Sequence, residues 1–240
     1  LLYFIWIIEP LFKKKNEIVN HYKPFVSIII SAKNETNNIS NLLENLRKQN
    51  YPTDKYEIII ANDKSTDSTL EKLTQIKNSM INLIIINITK TPINWSSKKW
   101  ALNECIQKAK GEIILQTDAD CRHTYTWISE MIKSFKNQNT GFVCGPSYIG
   151  TNKNFWEQIL RLESISQESF TYANSKRELY ISCTARNIGF RKLVFKEVKG
   201  YDDIAHIKSG DDDLLLHKVV TQTNWGIEYV ANKKSLVESD

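Results

Sequence analysis

The sequence predicts an α/β fold with a mainly parallel, doubly wound central sheet and helices on both faces. Apolar runs of strand length recur along the chain: Phe25-Val-Ser-Ile-Ile-Ile30, Glu57-Ile-Ile-Ile60, Ile81 to Ile88, and the stretch opened by Gly111-Glu-Ile-Ile. Unbroken runs of this kind mark strands buried on both faces. Each is followed by a polar loop and an amphipathic helical stretch, without hairpin turn chemistry, so the units read as strand–loop–helix repeats. Right-handed crossovers then bring all the polar loops to one edge of the sheet, where open α/β sheets bind ligands.

The elements follow in order. After the first strand comes the polar loop Ser31-Ala-Lys-Asn-Glu35. Thr36 or Asn38 can then cap a helix with Ile39, Leu42, Leu43 and Leu46 on one face. The second strand leads through Ala61 to Asp67 into a helix carrying Leu70, Leu73 and Ile76. The third leads through Thr89 to Ser97 into a helix with Trp100, Leu102, Cys105, Ile106 and Ala109. The fourth ends in Thr117-Asp-Ala-Asp-Cys121. Beyond it lie a helical face (Trp127, Ile128, Met131, Ile132, Phe135), a strand and turn at Gly141 to Pro146, and a long amphipathic stretch from Phe155 to Tyr172. A bent strand is expected over Ile181 to Arg191, then a helix from Leu193 to Val198, and a helix opened by Gly210-Asp-Asp-Asp213. The domain is read as residues 25–240, with two halves that meet near residue 120 and share one sheet.

Composition removes several classes. The 240 residues are 41% hydrophobic and 25% charged, ordinary for a globular protein. The net charge of +5 comes from lysines scattered along the chain, which reads as solvated faces and not a nucleic-acid surface. Four widely spaced cysteines without a C-x-x-C pair argue against zinc and against a disulfide framework, and fit a reducing compartment. There is no G-x-G-x-x-G after the first strand and no P-loop, so any nucleotide phosphates must be held by side chains and a metal. Residues 1–24 hold Leu1-Leu-Tyr-Phe-Ile-Trp-Ile-Ile8 and then Lys13-Lys-Lys15. The apolar run is too short to span a bilayer alone. It reads as the end of a transmembrane helix whose lysines face the cytoplasm, with the domain on that side of the cell membrane, or else as an amphipathic helix packed on the domain.

The chemistry starts at Asp118 and Asp120, two carboxylates delivered to a strand's C-terminal end with one small residue between them. They repel each other and call for a cation, either an Arg or Lys or a divalent metal with hard oxygen ligands. Lys33-Asn-Glu35, Asn62-Asp63 and Asp211-Asp-Asp213 converge on the same edge. In order and spacing these clusters resemble family 2 glycosyltransferases, inverting enzymes of the Rossmann-like GT-A fold, over Phe25 to about Val230. Val26-Ser-Ile-Ile-Ile-Ser-Ala-Lys-Asn-Glu35 is similar to the family's opening strand, and Ile58-Ile-Ile-Ala-Asn-Asp-Lys-Ser-Thr-Asp67 to its D-D-G-S-x-D motif. In the latter, Asn62 stands for the first Asp and Lys64 for the Gly. Lys98-Lys-Trp-Ala-Leu-Asn103 resembles K-x-x-A-L-N, and Asn187-Ile-Gly-Phe-Arg191 the segment lining the donor and acceptor pocket. Thr117-Asp-Ala-Asp-Cys121 matches the D-x-D metal motif, and Gly210-Asp-Asp-Asp-Leu-Leu the E-D or G-D-D motif.

The resemblance implies a residue-by-residue reading. Residues 25–122 would form the nucleotide-sugar half, with Lys33, Glu35, Asp63, Lys98, Asp118 and Asn187 around the donor. Asp120 and Asp118 would hold Mg²⁺ or Mn²⁺. Residues 123–240 would form the acceptor half, with Asp212 as general base and Asp211 beside it. The donor is expected to be a UDP-sugar and the acceptor a glycan or a lipid-linked acceptor at a membrane, in cell-envelope glycan or glycolipid synthesis, with no nucleic acid involved. A divalent ion suits a leaving diphosphate, and a single carboxylate base suits inverting displacement. Two other readings remain: a sugar nucleotidyltransferase, which normally has a Gly-rich basic loop after its first strand, and a non-catalytic module, which the departures at Asn62 and Lys64 would allow. The Q-x-x-R-W motif of processive members is absent from these residues.

Overall fold

The computed structural model describes residues 22–150 and 154–239. Most of the apolar and basic N-terminal segment lies outside the described residues. Among those described, no helix is long and apolar enough to cross a membrane.

The first half alternates as expected: β1 (Val26–Ala32), α1 (Ile39–Arg47), β2 (Tyr56–Asp63), α2 (Thr69–Lys77), β3 (Leu83–Ile88), α3 (Ser97–Lys108), β4 (Ile113–Gln116). The second half is more broken: β5 (Cys121–His123), α4 (Trp127–Met131), β6 (Thr140–Cys144), β7 (Ser147–Ile149), α5 (Phe155–Ser175), β8 (Ile188–Arg191), α6 (Lys192–Glu197), α7 (Asp213–Gln222), β9 (Gly226–Tyr229), β10 (Val237–Ser239). Seven strands form one sheet in the order β3-β2-β1-β4-β8-β6-β9, drawn from both sides of residue 120. A small sheet, β5-β10-β7, clasps its flank.

Alternation along each strand explains the unbroken apolar runs, because successive side chains point to opposite faces. Ile28, Ile30, Ile58 and Ile60 pack with Leu42, Leu46, Leu73 and Trp127 on one face. Ile29, Ile59 and Ile114 pack with Leu102, Cys105, Phe190 and Leu216 on the other. Register is fixed residue for residue, Ile28 opposite Ile58 and Leu115, so both faces stay apolar. Burying both faces of the sheet is the main source of stability, at about 25 cal/mol per Å² of apolar surface.

Three local readings change. The third strand begins at Leu83, because Ile81 sits in the preceding turn, 96% exposed. Asn38 occupies the N-cap of α1 but does not cap it through its side chain. Its backbone is already helical, and its amide turns back to Glu35 Oε2 at 2.8 Å. Ile181 to Arg191 is strand only from Ile188; a short 3₁₀ turn over Ala185–Asn187 precedes it.

The sheet is parallel except for β8, which runs antiparallel to both β4 and β6. The C-terminal ends of β1, β2, β4, β6 and β9 therefore share one edge with the N-terminal end of β8. Along that edge the strands deliver, in spatial order, Asp63, the loop to Glu35, Asp118, the approach to Asn187, the Gly145–Ser147 corner and Tyr229.

Candidate active site

At the β2 end, Asp63 is 3% exposed and its carboxylate is held from one side. Ser97 Oγ, in the first turn of α3, donates to Asp63 Oδ1 at 2.7 Å, and Lys64 Nζ lies 3.2 Å from the same oxygen. Lys64 also donates to Ser97 Oγ at 2.7 Å and to Thr91 Oγ1. Its φ of +54° is the left-handed region, which explains why the family pattern has Gly here. In this chain the side chain offsets that cost with an ion pair and two hydrogen bonds.

The β1 loop is stapled to the β2 loop. Thr69 Oγ1 accepts from Glu35 N at 2.8 Å, while Asp67 accepts from Thr36 N at 3.1 Å and from Thr69 N at 3.0 Å. These bonds from Thr36 and Thr69 hold the Asp67 carboxyl well below the usual range. Glu35 is thereby fixed facing the β4 end. Burial pushes its carboxyl up, Asn38 opposes, and the charges of Asp120 and Asp118 push it further. Three carboxylates thus share a field of one sign, as the sequence argument anticipated.

The cation that this requires is Lys98. Its Nζ lies 3.0 Å from Asp118 Oδ1 and 3.4 Å from Asp211 Oδ2. Burial would lower the lysine's pKa, but Asp118 and Asp211 outweigh it and raise the pKa above its ordinary value. Asp211 is 6% exposed and also accepts from Gln116 Nε2 at 2.8 Å. Burial pushes its carboxyl up against Lys98, with Asp212 and Asp118 adding to the rise.

Asp212 is the N-cap of α7 and half-buried. Its Oδ1 accepts from Asp213 N at 2.8 Å and its Oδ2 from Ala185 N at 2.6 Å, so both oxygens are oriented by backbone. Asp213 in turn accepts from Cys183 N at 2.8 Å and Ser182 Oγ at 3.0 Å.

Glu35, Asp118, Asp120, Lys98, Asp211 and Asp212 are brought together, with Asp63 farther along the edge. Lys33 is exposed on the β1 loop. Asn187 does not join them: it is fully buried, and its amide is engaged inside the fold. Its Oδ1 accepts from Trp127 Nε1 at 2.8 Å, and its Nδ2 donates to the carbonyls of Pro146 at 2.8 Å and Ser235 at 2.9 Å. With both ends of the amide committed inside the fold, Asn187 ties β8 to the loops around it.

Two residues that sequence reasoning passed over support the centre. Lys99 is fully buried, and its Nζ donates to Ile207 O at 2.7 Å and Ser209 O at 2.6 Å, fixing the loop that delivers Asp211 and Asp212. Its signal was its place: position 99 precedes Ala101 and Leu102, on a helix whose inner face is apolar. Gln116 was legible as the one polar residue inside the β4 run.

The donor set fits a hard divalent cation only in part. Among the described residues no group of three or more His, Cys, Asp or Glu is arranged to hold a metal by itself. Asp118 and Asp120 supply hard oxygens at a negatively charged edge, and Mg²⁺ characteristically takes one or two carboxylates with substrate phosphates completing its shell. The residues therefore fit an ion that arrives with a diphosphate.

The model of glycosyl transferase family 2 matches residues 27–199, most of the chain. The chain belongs to glycosyltransferase family 2. Among curated relatives, a beta-monoglucosyldiacylglycerol synthase of Nostoc sp. is 33% identical over 134 residues, covering 55% of this chain and 28% of that protein. A poly(ribitol-phosphate) beta-glucosyltransferase of Bacillus spizizenii is 40% identical over 95 residues, 40% of this chain and 14% of that one. The chain thus spans well under two thirds of the length of these relatives. The mannosyltransferase PcManGT of Pyrobaculum calidifontis, solved with GDP-Man and Mn²⁺, superposes with a TM-score of 0.73 at 20% identity, over 99% of this chain and 64% of that one. S. aureus TarS 1-349 with UDP-GlcNAc gives 0.63 at 19% identity, over 89% and 58%. The fold is GT-A.

Proposed function

We propose that this family 2 chain is an inverting glycosyltransferase that moves a hexosyl or N-acetylhexosaminyl group from a UDP-sugar to an acceptor hydroxyl. One observation carries the reading: Asp63, the Glu35–Asp118–Asp120 group and Asp212 lie in that order along one sheet edge, the order in which base, diphosphate and acceptor would lie.

Asp63, held on Oδ1 by Ser97 and Lys64, leaves its other oxygen for the nucleotide base. Asp118 and Asp120 would hold Mg²⁺ or Mn²⁺ together with the diphosphate, and the ion when bound neutralises charge on the leaving group. Lys98 places a second positive charge beside the same group. Asp212 takes the acceptor proton: two backbone N–H groups fix its carboxylate plane, so the base is oriented before the acceptor arrives. Asp211 flanks it and, through Gln116 and Lys98, holds the α7 start against β4. No covalent nucleophile is required, and single displacement inverts the anomeric centre.

The acceptor is a glycan or lipid-linked glycan at the cytoplasmic face of a membrane. Diacylglycerol and poly(ribitol-phosphate) in the relatives' names support this, as do Phe155, Trp156, Leu160 and Leu162 exposed on α5. Calorimetry with UDP and GDP, each with Mn²⁺ or with EDTA, tests the donor side. UDP is expected to bind with metal, and to lose that binding in EDTA and in Asp120→Ala. Tight metal-independent binding, or an unaffected Asp120→Ala, would overturn the metal assignment.

A further inference from the structure

A cavity of about 170 Å³ lies at the far end of the same edge, between α5 and the chain around β9. Its walls include the rings of Tyr148, Tyr172 and Tyr229, and the Glu168 carboxyl and Lys233 add charge. Tyr172 and Tyr229 lie 5.5 Å apart, tilted by 51°. The Tyr229 hydroxyl is buried with no hydrogen-bond partner among the described residues, a condition that ordinarily costs free energy and calls for an explanation. Glu168 is fixed by Ser147, whose Oγ donates to it at 2.9 Å and whose N donates at 3.3 Å.

The cavity is joined to the proposed base. Ser147 Oγ lies 2.8 Å from Thr184 Oγ1, and the next residue, Ala185, donates its N–H to Asp212 Oδ2 at 2.6 Å. The order of strands puts it on the side opposite the nucleotide: Asp63 ends β2, two strands from β4 on one flank, and Tyr229 ends β9, three strands from β4 on the other. At about 4.8 Å per strand the cavity begins roughly 14 Å from the D-x-D strand, far enough to be a separate subsite. Its chemistry is that of hydroxylated ligands: flat aromatic faces for C–H surfaces, and a carboxyl for ligand O–H groups. Its volume suits one sugar or polyol unit and is below the range of drug-sized sites.

Resting on the transferase reading, we infer that this cavity is an acceptor subsite that seats one sugar or polyol unit of the acceptor against Tyr148, Tyr172 and Tyr229, with Glu168 bonded to its hydroxyls. Burial pushes the Glu168 carboxyl up to about 7 against its bonds from Ser147, so near neutrality it can accept from or donate to a ligand hydroxyl.

Saturation-transfer NMR with methyl β-D-glucopyranoside and with ribitol, in the presence of UDP and Mn²⁺, tests this. At least one probe should bind the wild type. Binding should weaken roughly tenfold in Tyr148→Ala and in Glu168→Gln, each losing about one good contact. Glu168→Gln keeps an acceptor for Ser147 and guards against misfolding, and an unchanged UDP titration shows that the donor side is intact. Absence of both probes from the wild type, or equal binding in both variants, overturns the subsite while leaving the donor reading in place. Failure of UDP to bind a protein that still takes the probes sinks the transferase reading instead.

Discussion

The two flanks of the active edge use polar residues in opposite ways. On the β1–β4 flank, Glu35, Asp118 and Asp120 stand at strand ends, and no backbone group fixes their carboxylates as Asp212's is fixed. On the β8–β9 flank, Asn187 and Lys218 turn inward and hold irregular backbone, Lys218 Nζ donating to Gly200 O at 2.8 Å, and Lys99 reaches over from α3 to the carbonyls of Ile207 and Ser209. On the first flank pairing satisfies the strands' own backbone, and the side-chain bonds gather in the loops, as at Glu35, Asp67 and Thr69. The second is built from short strands and turns whose carbonyls would otherwise be buried without partners. The half-buried carboxylates of one flank are the ones proposed to meet a ligand, the buried amide and ammonium groups of the other brace the fold, and their partners tell the two apart.

Four experiments would break or sharpen that contrast. Asp212→Asn should lower kcat about a hundred- to ten-thousandfold with UDP affinity nearly unchanged; loss of UDP binding would make Asp212 a brace like its neighbours. Asn187→Ala should cost about 3–5 kcal/mol in urea unfolding, since it strands Trp127 Nε1 and two carbonyls, and folded protein should still bind UDP. Lys99→Met should cost less, about 2–3 kcal/mol, because two carbonyls lose their donor. It should lower kcat more than it raises the KM for donor, since the loop it holds carries Asp211 and Asp212. The smallest effect is expected from Glu168→Gln. The folded carboxyl titrates at about 7 against an ordinary 4.5, so the folded state binds more protons across that window and stability falls as pH rises through it. The variant should melt higher than the wild type at pH 8 and show no gain at pH 4.

His123 sets the acid side of the same balance. Burial lowers its pKa to about 3, and it packs between Thr117 Oγ1 at 2.8 Å and Asn45. The unfolded chain takes up this proton near the ordinary 6.5, so His123 contributes stability above that pH which is lost as pH falls toward 3.

The contrast also explains what the sequence disclosed. β1 to β4 were legible because both faces of each strand are covered, which leaves a long apolar run with a polar residue where the run stops. Asp63 and Asp118 could be placed at the edge by that rule, while Asp212, which opens a helix, was placed by its likeness to the family's acidic motif. Asn187 was read from the likeness of its segment to the family's, and the engagement of its amide by Trp127 and by the carbonyls of Pro146 and Ser235 is long-range, so the sequence does not show it. Lys99 could be placed on the inner face of its helix, but its partners, the backbone carbonyls of Ile207 and Ser209 about a hundred residues away, leave no mark in a sequence. Lys64 looked like a departure from the family pattern; its positive φ and its bonds to Asp63 and Ser97 show a different side chain serving the same turn.

The reversed strand has a consequence for how the molecule is made. β8 sits between β4 and β6, yet it is synthesised after both, and Ile113 must wait for Arg191 to find its partner. Until then the growing chain carries β4 as an open edge, with Ile113, Ile114 and Leu115 ready to pair with any passing strand. Such long-range closure is slow and exposes the chain to aggregation. Fragments that stop before residue 188 should therefore be sticky, and residues 25–122, though complete in their strands, should stay soluble only once the later chain has closed over them.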